Sequence, residues 1–501
     1  MLRLGLGLFL AIATWIGLRR MVSAGRAPSI GVLLLDICPI ATGFGLFLFG
    51  TGRPILAGIG IAALGFGLGL ADTMKRLILR EPVVFADRSE LFEVIRHPRF
   101  YLAFIGTGFM VVGAGLIVAL VLALAWAEPP LWAVTTWGTL IRIILAAILG
   151  RLAFVLPSRP PLLQPLRRRY ESWAPSRDPE VDIGRFGLLA TVIMHATIAR
   201  AERPARRAAV IARGLPSLRA GQGPIILWQA ESFVDVRRLS PDLSDRLPNI
   251  ARLSAEARQR GLLEVPAYGA NTIRTELAAL AGIGPEDLGL DRFNPYDAFA
   301  RAPLPSIAAQ ARAAGYHTVC VHPYDLNFYA RDKVMPGLGF DRFIGLEAFR
   351  DAETDGGYVT DMTLARFVAD LVAKDGPDLF VFVISIENHG PWDAMHDGRP
   401  PALLPAAWGD LPDAVQIGRW LRHVEAADGA MAVLRAGLEQ AGQGWLGFYG
   451  DHHPSLSGPF LAPGAADGRT DYWLWQLAGA PGESIDIAAD ELPERWLSLM
   501  R

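Results

Sequence analysis

The residues whose types point most directly to chemistry lie at Gly450–Pro454 (GDHHP), immediately after the apolar stretch WLGFY. Adjacent Asp451 and His452 can offer one carboxylate and one imidazole to a single divalent metal. The alternative is an aspartate–histidine pair that only stabilises the local structure. This segment therefore predicts a metal site if other ligands lie close to it in the fold.

Two further acidic segments follow apolar stretches in the same way. Glu231, with Ser232 beside it, comes after IILWQA, and Glu387–Trp392 (ENHGPW) comes after LFVFVISI. A lone acid at such a position is often only the cap of the next helix. The repetition of polar residues directly after apolar segments favours a shared site.

The segment Ala267–Leu277 (AYGANTIRTEL) could supply a nucleophile. Gly269 and Asn271 suit a turn, and Thr272 would then begin a helix. The start of a helix offers free N–H groups and a positive dipole end, which suit a hydroxyl that carries a phosphate. The simpler alternative is a threonine that caps the helix.

Apolar strands that alternate with helices must position these segments from Gly223 onwards. The pattern predicts helices at Pro305–Ala314 and Tyr358–Lys374, and strands at Ile225–Trp228, His317–His322, Leu379–Ile386, Trp445–Tyr449 and Tyr472–Leu477. This alternation is typical of a mostly parallel α/β sheet covered on both faces. Since ligands bind beyond the carboxyl ends of such strands, we expect the four segments to converge on one edge of the sheet.

The first part of the chain is much more apolar than the rest. Half of the 501 residues are hydrophobic, only 20% are charged, and long apolar stretches fill the sequence up to about residue 155. A bilayer core needs about 20 apolar residues in a helix. We therefore predict about five transmembrane helices, at Leu2–Leu18, Ile30–Phe49, Ile55–Leu70, Tyr101–Trp126 and Trp132–Leu156. The alternative is a large buried helical core.

A polar segment separates these two parts. Residues 157–179 are rich in proline and arginine, Ile183–Ala201 predicts an interfacial helix, and Ala205–Gln222 reads as a basic linker. The expected organisation is thus a polytopic α-helical membrane domain at 1–156, an interfacial helix and linker at 157–222, and an α/β catalytic domain at 223–501. A formal charge of −2 gives no broad basic field, so nucleic acid is not an expected partner.

Taken in order, the motifs resemble one known family. Glu231 after a strand is followed by PNIARL (Pro248–Leu253), the Thr272 turn, HPYDLNFYARD (His322–Asp332), GFDRF (Gly339–Phe343), ENHGP and YGDHHPS. The set resembles the lipoteichoic acid synthases and the phosphoglycerol transferases that modify periplasmic glucans, which are sulfatase-like members of the alkaline-phosphatase superfamily. The apolar helices and the segment REPVVFAD (Arg80–Asp87) also match, whereas neither Cys38 nor Cys320 lies in the C-x-P-x-R sequence that sulfatases modify.

The resemblance implies roles for individual residues. Glu231, Thr272, Asp451 and His452 would bind one divalent metal, with Thr272 as the nucleophile. Mn²⁺ is the favoured ion, and Mg²⁺ and Zn²⁺ also suit such ligands.

A second set of residues would bind the phosphate or the head group: His322, Tyr329, Arg331 and His389. His389 is also a candidate base for the acceptor hydroxyl. Two residues depart from the family pattern. Tyr329 replaces the usual tryptophan, and Tyr324 lies where an acid is expected, with Asp325 one place later.

The implied reaction moves phosphoglycerol from a phospholipid donor to an envelope glycan or lipid and releases diacylglycerol. A phosphoethanolamine transferase is the first alternative, although such enzymes usually carry several disulfides and this part of the chain has one cysteine. A hydrolase of the same superfamily and a non-catalytic envelope scaffold are the others.

The resemblance also implies the bacterial inner membrane as the location, with several spans and the catalytic domain on the periplasmic side. The distribution of lysine and arginine favours the opposite orientation, because basic segments are usually cytoplasmic. With the catalytic domain in the periplasm, the segments that would lie outside are Arg19, Arg20, Arg26, Lys75–Arg99 and Arg167–Arg169.

Overall fold

The structure, a computed structural model, describes residues 1–89, 107–132, 135–392, 399–456, 460 and 467–501. These residues form two compact units, Met1–Pro204 and Ala205–Arg501.

The first unit consists of helices. They are α1 Leu2–Met21, α2 Ile30–Thr51, α3 Pro54–Leu79, α4 Thr107–Ala127, α5 Thr136–Val155, α6 Pro160–Glu171, α7 Pro179–Phe186 and α8 Leu188–Arg213, the last of which continues into the second unit. Among the described residues, α1, α2, α3 and the segment Thr136–Ser158 are long and apolar enough to cross a membrane. The start of the predicted fourth span lies outside the described residues, and α4 contributes 21 residues of the same apolar character. The predicted apolar helical part is therefore present, with four helices of sufficient length and apolar character among the described residues where five were predicted.

The sequence explains where these helices begin and end. The Ser29 hydroxyl accepts a hydrogen bond from the Val32 N–H and caps α2. Gly52, with φ +70°, ends α2, and Pro54 begins α3 two residues later. The Glu128 carboxylate accepts hydrogen bonds of 2.8 Å from the first free N–H groups of α3, those of Ile55 and Leu56.

The predicted helix Ile183–Ala201 is two helices in the structure. α7 ends at Phe186 and α8 begins at Leu188, because Gly187 adopts φ +95°. A Cβ at Gly187 would lie about 2.5 Å from the side chains of Arg19 and Asp36, so the chain needs glycine there. α8 also continues to Arg213 through a stretch rich in alanine and arginine, so residues 205–213 are helical and not linker.

The second unit is built on a nine-stranded mixed sheet. Its strands are β1 Ile225–Ala230, β2 Gln259–Glu264, β3 His317–Val321, β4 Arg342–Ile344, β7 Leu379–Ile384, β8 Trp445–Gly450, β9 Thr470–Gln476, β10 Glu483–Ser484 and β11 Ile487–Ala488. They lie in the order β10-β2-β9-β8-β1-β7-β3-β4, and β11 also pairs with β2. A separate hairpin pairs β5 Thr354–Asp355 with β6 Tyr358–Val359.

Helices cover the sheet. They are α9 Pro248–Glu256, α10 Thr272–Ala281, α11 Pro285–Leu288, α12 Pro295–Ala298, α13 Ile307–Ala313, α14 Arg331–Val334, α15 Asp361–Asp375, α16 Ala406–Gly409, α17 Ala414–Ala441 and α18 Leu492–Leu499. Buried residues of α9, α15 and α17 pack with Ile226 and Trp228 of β1 on one face. Buried residues of α10, α13 and α18 pack with Ile225 and Leu227 on the other. The doubly covered, mostly parallel α/β sheet is thus confirmed.

All five predicted strands are present; four begin at the predicted residue, and the other ends differ by one or two residues. The central strands β1, β7 and β8 are buried along their whole length, which is why they read as continuous apolar runs. The sequence analysis missed β2 and β4, whose partly or fully exposed residues include Arg260, Glu264 and Arg342. The predicted helix from Tyr358 begins at Asp361 because Tyr358 and Val359 form β6.

Gly450 at the end of β8 gives a test of this packing. A Cβ there would lie 2.2 Å from the Phe233 carbonyl oxygen, so Gly450→Ala forces the backbone to move. We expect it to lower the free energy of unfolding by about 1–3 kcal/mol. The control is Gly409→Ala, because a Cβ at Gly409 meets nothing within 4 Å. Chemical denaturation followed by tryptophan fluorescence measures both, and equal stability of the two variants would contradict the assignment.

Candidate active site

The carboxyl ends of the central strands bring the predicted ligands together. Glu231 directly follows β1, and Asp451 and His452 directly follow β8, which pairs in parallel with β1. All three side chains are buried. One ligand atom from each lies within 4.8 Å of the others, and His452 Nε2 is 3.5 Å from Glu231 Oε1 and 3.4 Å from Asp451 Oδ2.

Hydrogen bonds to the outer atoms of these side chains orient the inner atoms. Asp451 Oδ1 accepts 2.8 Å hydrogen bonds from the backbone N–H groups of Ser232 and His452, and Oδ2 has no hydrogen-bond partner of good geometry among the described residues. His452 Nδ1 lies 2.9 Å from the His453 carbonyl oxygen and must donate to it. Nε2 then carries the lone pair, and the structure gives it no hydrogen bond within the described part of the chain.

The charges in this cluster fit a cation. Burial and the nearby Glu231 charge hold the pKa of Asp451 well above its ordinary value, against hydrogen bonds from the Ser232 N–H, the Thr272 hydroxyl and the His452 N–H. Two buried carboxylates that repel each other, with an imidazole lone pair beside them, form a donor set suited to one divalent metal.

Thr272 lies at the same edge of the sheet. It is the first residue of α10, and the preceding Asn271 has a left-handed backbone (φ 67°) that turns the chain into the helix. The Gly269 N–H donates to the His453 carbonyl oxygen at 3.0 Å and ties this turn to the loop after β8. The Thr272 hydroxyl is thereby held beside the Asp451 carboxyl.

Thr275 lies one turn further along α10 and is completely buried. Its hydroxyl donates a 2.7 Å hydrogen bond to the Asp451 carbonyl oxygen. Thr275 therefore holds the backbone of Asp451 in position, whereas the Thr272 hydroxyl lies beside the Asp451 carboxyl that would bind the metal.

Arg331 is buried, and its partner is Glu276, not the neighbouring Asp332 that a surface ion pair would require. Arg331 Nε lies 3.1 and 3.2 Å from the two carboxylate oxygens of Glu276, and Nη2 is 2.9 Å from Oε2. Nη1 points instead toward His322 Nε2, at 3.4 Å.

The sequence analysis did not identify Glu276 as part of the site. Its carboxylate also accepts hydrogen bonds from the Tyr296 hydroxyl (2.7 Å) and from the Gln229 side-chain amide (3.3 Å). The available signal was its position four residues after Thr272, which places both on one face of a helix.

The two histidines predicted to contact substrate lie near Arg331. His322 Nδ1 donates to the Ile384 carbonyl oxygen at 3.0 Å. Burial, with added repulsion from Arg331 and His389, holds the pKa of His322 well below its ordinary value, so this ring is neutral. His389 Nδ1 lies 2.6 Å from the Gly390 carbonyl oxygen, which leaves Nε2 as the proton acceptor.

The two aromatic departures from the family pattern also lie here. The Arg331 guanidinium carbon is 5.5 Å from the centre of the Tyr329 ring, a cation–π distance. The Tyr324 ring packs against Phe328 and His322, with centroid distances of 5.5 and 6.1 Å. Asp325 accepts hydrogen bonds from the backbone and side chain of Asn327.

Comparison with known proteins agrees with this architecture. Residues 225–483 match the sulfatase family. The chain is 32% identical over 482 residues to the capsular polysaccharide biosynthesis protein RkpI of Rhizobium meliloti (strain 1021), which covers 92% of this chain and 85% of that protein.

Two solved structures are also similar. The integral membrane lipooligosaccharide phosphoethanolamine transferase A (EptA) from Neisseria meningitidis aligns over 99% of this chain and 95% of its own, with a TM-score of 0.50 and 13% identity. The phosphoglycerol transferase GacH of Streptococcus pyogenes, in complex with sn-glycerol-1-phosphate, aligns over 61% of this chain and 80% of its own, with a TM-score of 0.47 and 21% identity. The EptA alignment shows a shared fold that includes the apolar helices.

Removal of one carboxylate charge tests the proposed ligand set. We expect Asp451→Asn to lose the ion held by Glu231, Asp451 and His452, since a neutral amide is a weaker ligand, and to keep its helical circular dichroism. Exposed Asp242→Asn is the matched control and should keep its metal. Elemental analysis of the purified proteins measures the ion content, and unchanged metal in Asp451→Asn would contradict the assignment.

Proposed function

Since the chain belongs to the sulfatase family, within the alkaline-phosphatase superfamily, we propose that it is a membrane-anchored phosphotransferase that moves phosphoglycerol from a phospholipid to a cell-envelope glycan or lipid. The observation that carries the proposal is the position of Thr272, at the start of a helix and beside the Asp451 carboxyl. A hydroxyl in this place suits attack on phosphorus.

In the proposed first step, Thr272 Oγ attacks the phosphorus of a phosphatidylglycerol-like donor. The bond from phosphorus to the diacylglycerol oxygen breaks, and the proton that the Thr272 hydroxyl gives up ends on that oxygen. Diacylglycerol leaves, and phosphoglycerol remains on Thr272. A divalent cation held by Glu231, Asp451, His452 and Thr272, with Mn²⁺ favoured, would lower the pKa of the hydroxyl and balance charge on the phosphate.

In the second step an acceptor hydroxyl displaces Thr272 from the phosphorus. His389 Nε2 is the proposed base, because the Gly390 carbonyl oxygen holds the proton on Nδ1. Neutral His322 would accept a hydrogen bond from a glycerol hydroxyl at Nε2, with Tyr329 beside it.

Arg331 would contact the phosphate through Nη1, because Glu276 already occupies Nε and Nη2. The carboxylate holds the guanidinium plane in one orientation, so the remaining edge is fixed before substrate binds.

The helical unit supports a lipid donor. Its helices carry exposed apolar side chains, among them Phe9, Leu34, Phe66, Leu116 and Leu149, which are suited to contact with lipid chains. The similarity to RkpI, a capsular polysaccharide biosynthesis protein, supports a glycan as acceptor. We place the catalytic unit on the periplasmic side of a bacterial inner membrane, where a lipid donor and an envelope glycan would meet.

Separate replacement of Thr272 and Thr275 by alanine tests which of them is the nucleophile. We expect Thr272→Ala to abolish transfer and to retain weakened metal binding, and Thr275→Ala to cost stability more than chemistry because it loses the hydrogen bond to Asp451. Incubation with phosphatidylglycerol followed by peptide mass analysis should find glycerophosphate on the peptide that contains Thr272. An adduct that persists in Thr272→Ala and disappears in Thr275→Ala would reverse the assignment, and a phosphoethanolamine adduct from a mixed lipid donor would change the head group.

Arg331 gives a second test. Arg331→Lys keeps the positive charge, but the three N–H groups of lysine share one nitrogen and cannot reproduce the planar fork that contacts Glu276 through Nε and Nη2 and a phosphate oxygen through Nη1. We expect turnover to fall at least about tenfold, which corresponds to the loss of about 1.4 kcal/mol of transition-state stabilisation. The conservative change Arg342→Lys on β4 is the control. Near-normal turnover of Arg331→Lys in a lipid-donor assay would rule out a phosphate contact.

A further inference from the structure

A second group of ligand-type side chains lies apart from Glu231, Asp451 and His452. It consists of Asp355 at the end of β5, Glu387 shortly after β7, and His423 on α17. All three are at least 95% buried, and one ligand atom from each lies within 4.8 Å of the others. This triad contains the residue types that bind Zn²⁺ or Mn²⁺.

His423 is the member that indicates a ligand. Its Nδ1 has no hydrogen-bond partner within the described ranges, although the residue is only 5% exposed. Nε2 faces Asp355 Oδ2 at 3.5 Å, which is a long and weak contact. A buried imidazole nitrogen without a good hydrogen bond is costly, and a metal ion at that nitrogen would satisfy it.

One oxygen of each carboxylate of the triad accepts a hydrogen bond from the protein. Asp355 Oδ1 accepts from Arg422 Nη2 at 2.6 Å, and Oδ2 faces His423, with Arg399 Nη1 further away at 3.6 Å. Glu387 Oε2 accepts from the Asp361 N–H at 2.6 Å. This pattern resembles the outer hydrogen bonds that orient metal ligands.

The positive side chains beside the triad contact only one of its carboxylates at short range. Arg422 Nη2 lies 2.6 Å and Arg399 Nη1 lies 3.6 Å from Asp355, whereas Glu387 forms no ion pair among the described residues. Asp361, whose N–H donates to Glu387, has an Oδ1 atom without a hydrogen-bond partner among the described atoms.

We propose that Asp355, Glu387 and His423 bind a second divalent cation, which ties the hairpin β5–β6 and helix α17 to the segment after β7. The ion would be structural, because its ligands are buried and come from three separate elements. It would fix the backbone of Glu387–His389, and therefore the position of the proposed base His389. Binding of this ion does not require that the proposed transfer reaction be correct.

Metal stoichiometry of the full-length protein in detergent tests the proposal. The protein is stripped with a chelator, titrated separately with Zn²⁺ and with Mn²⁺, passed through a desalting column and analysed for metal. We expect two ions per chain with at least one of these metals. His423→Ala and Asp451→Asn should each retain one ion, and the double variant none. Exposed His317→Ala is the control and should retain two.

Glu387→Gln provides a variant of unchanged shape if His423→Ala does not fold. It should also retain one ion, and its thermal unfolding should respond less to added metal than that of the unaltered protein. A single ion per chain that Asp451→Asn loses and both triad variants keep would overturn the proposal. A single ion that only the triad variants lose would support it and would refute the ligand set at Glu231, Asp451 and His452.

Discussion

The repulsion between two buried carboxylates, Glu231 and Asp451, is the constraint on which the site depends. They lie at the ends of paired strands, β1 and β8, so the sheet itself holds them together. Their separation cannot relax without breaking strand pairing, and the backbone N–H groups around Asp451 offset only part of the cost. A cation is therefore the natural complement of this fold, because it turns an unfavourable arrangement into a favourable one.

The same logic governs the charges elsewhere in the chain. In the helical unit, Asp36 is buried within α2, and its carboxylate accepts hydrogen bonds from Trp15 and Arg19 at 2.8 and 2.7 Å. In the sheet unit, Glu276 accepts from Arg331, Tyr296 and Gln229. A buried carboxylate is tolerated where neighbouring donors are already in place. Glu231 and Asp451 differ because, among the described residues, neither has a lysine or arginine as an ion-pair partner.

The sequence indicated the candidate site where polar residues directly follow a buried apolar strand. The strands around Glu231, Glu387 and Asp451 were visible because both faces of the central sheet are covered, which leaves an uninterrupted apolar pattern. Thr272 was visible because turn-forming residues precede it. Glu276 was not, since a glutamate on a helix usually faces water and only the tertiary contact with Arg331 shows otherwise. The break at Gly187 and the partly exposed strand β2 were missed for a related reason. The close contact at Gly187 involves segments far apart in the sequence, and β2 is partly exposed. Neither feature produces a regular pattern of apolar residues in a single sequence.

The ties between α10 and the loop after β8 have a wider consequence. The Gly269 N–H and the Thr275 hydroxyl both bind carbonyl oxygens of that loop, one on each side of Thr272. The segment with the hydroxyl and the segment with the carboxylate and imidazole therefore move as a single piece. Variation in the segments that carry Tyr324 and Tyr329 can change which molecule is accepted while the reacting atoms keep their spacing. Such a division would let related proteins diverge in what they modify without rebuilding how they do it.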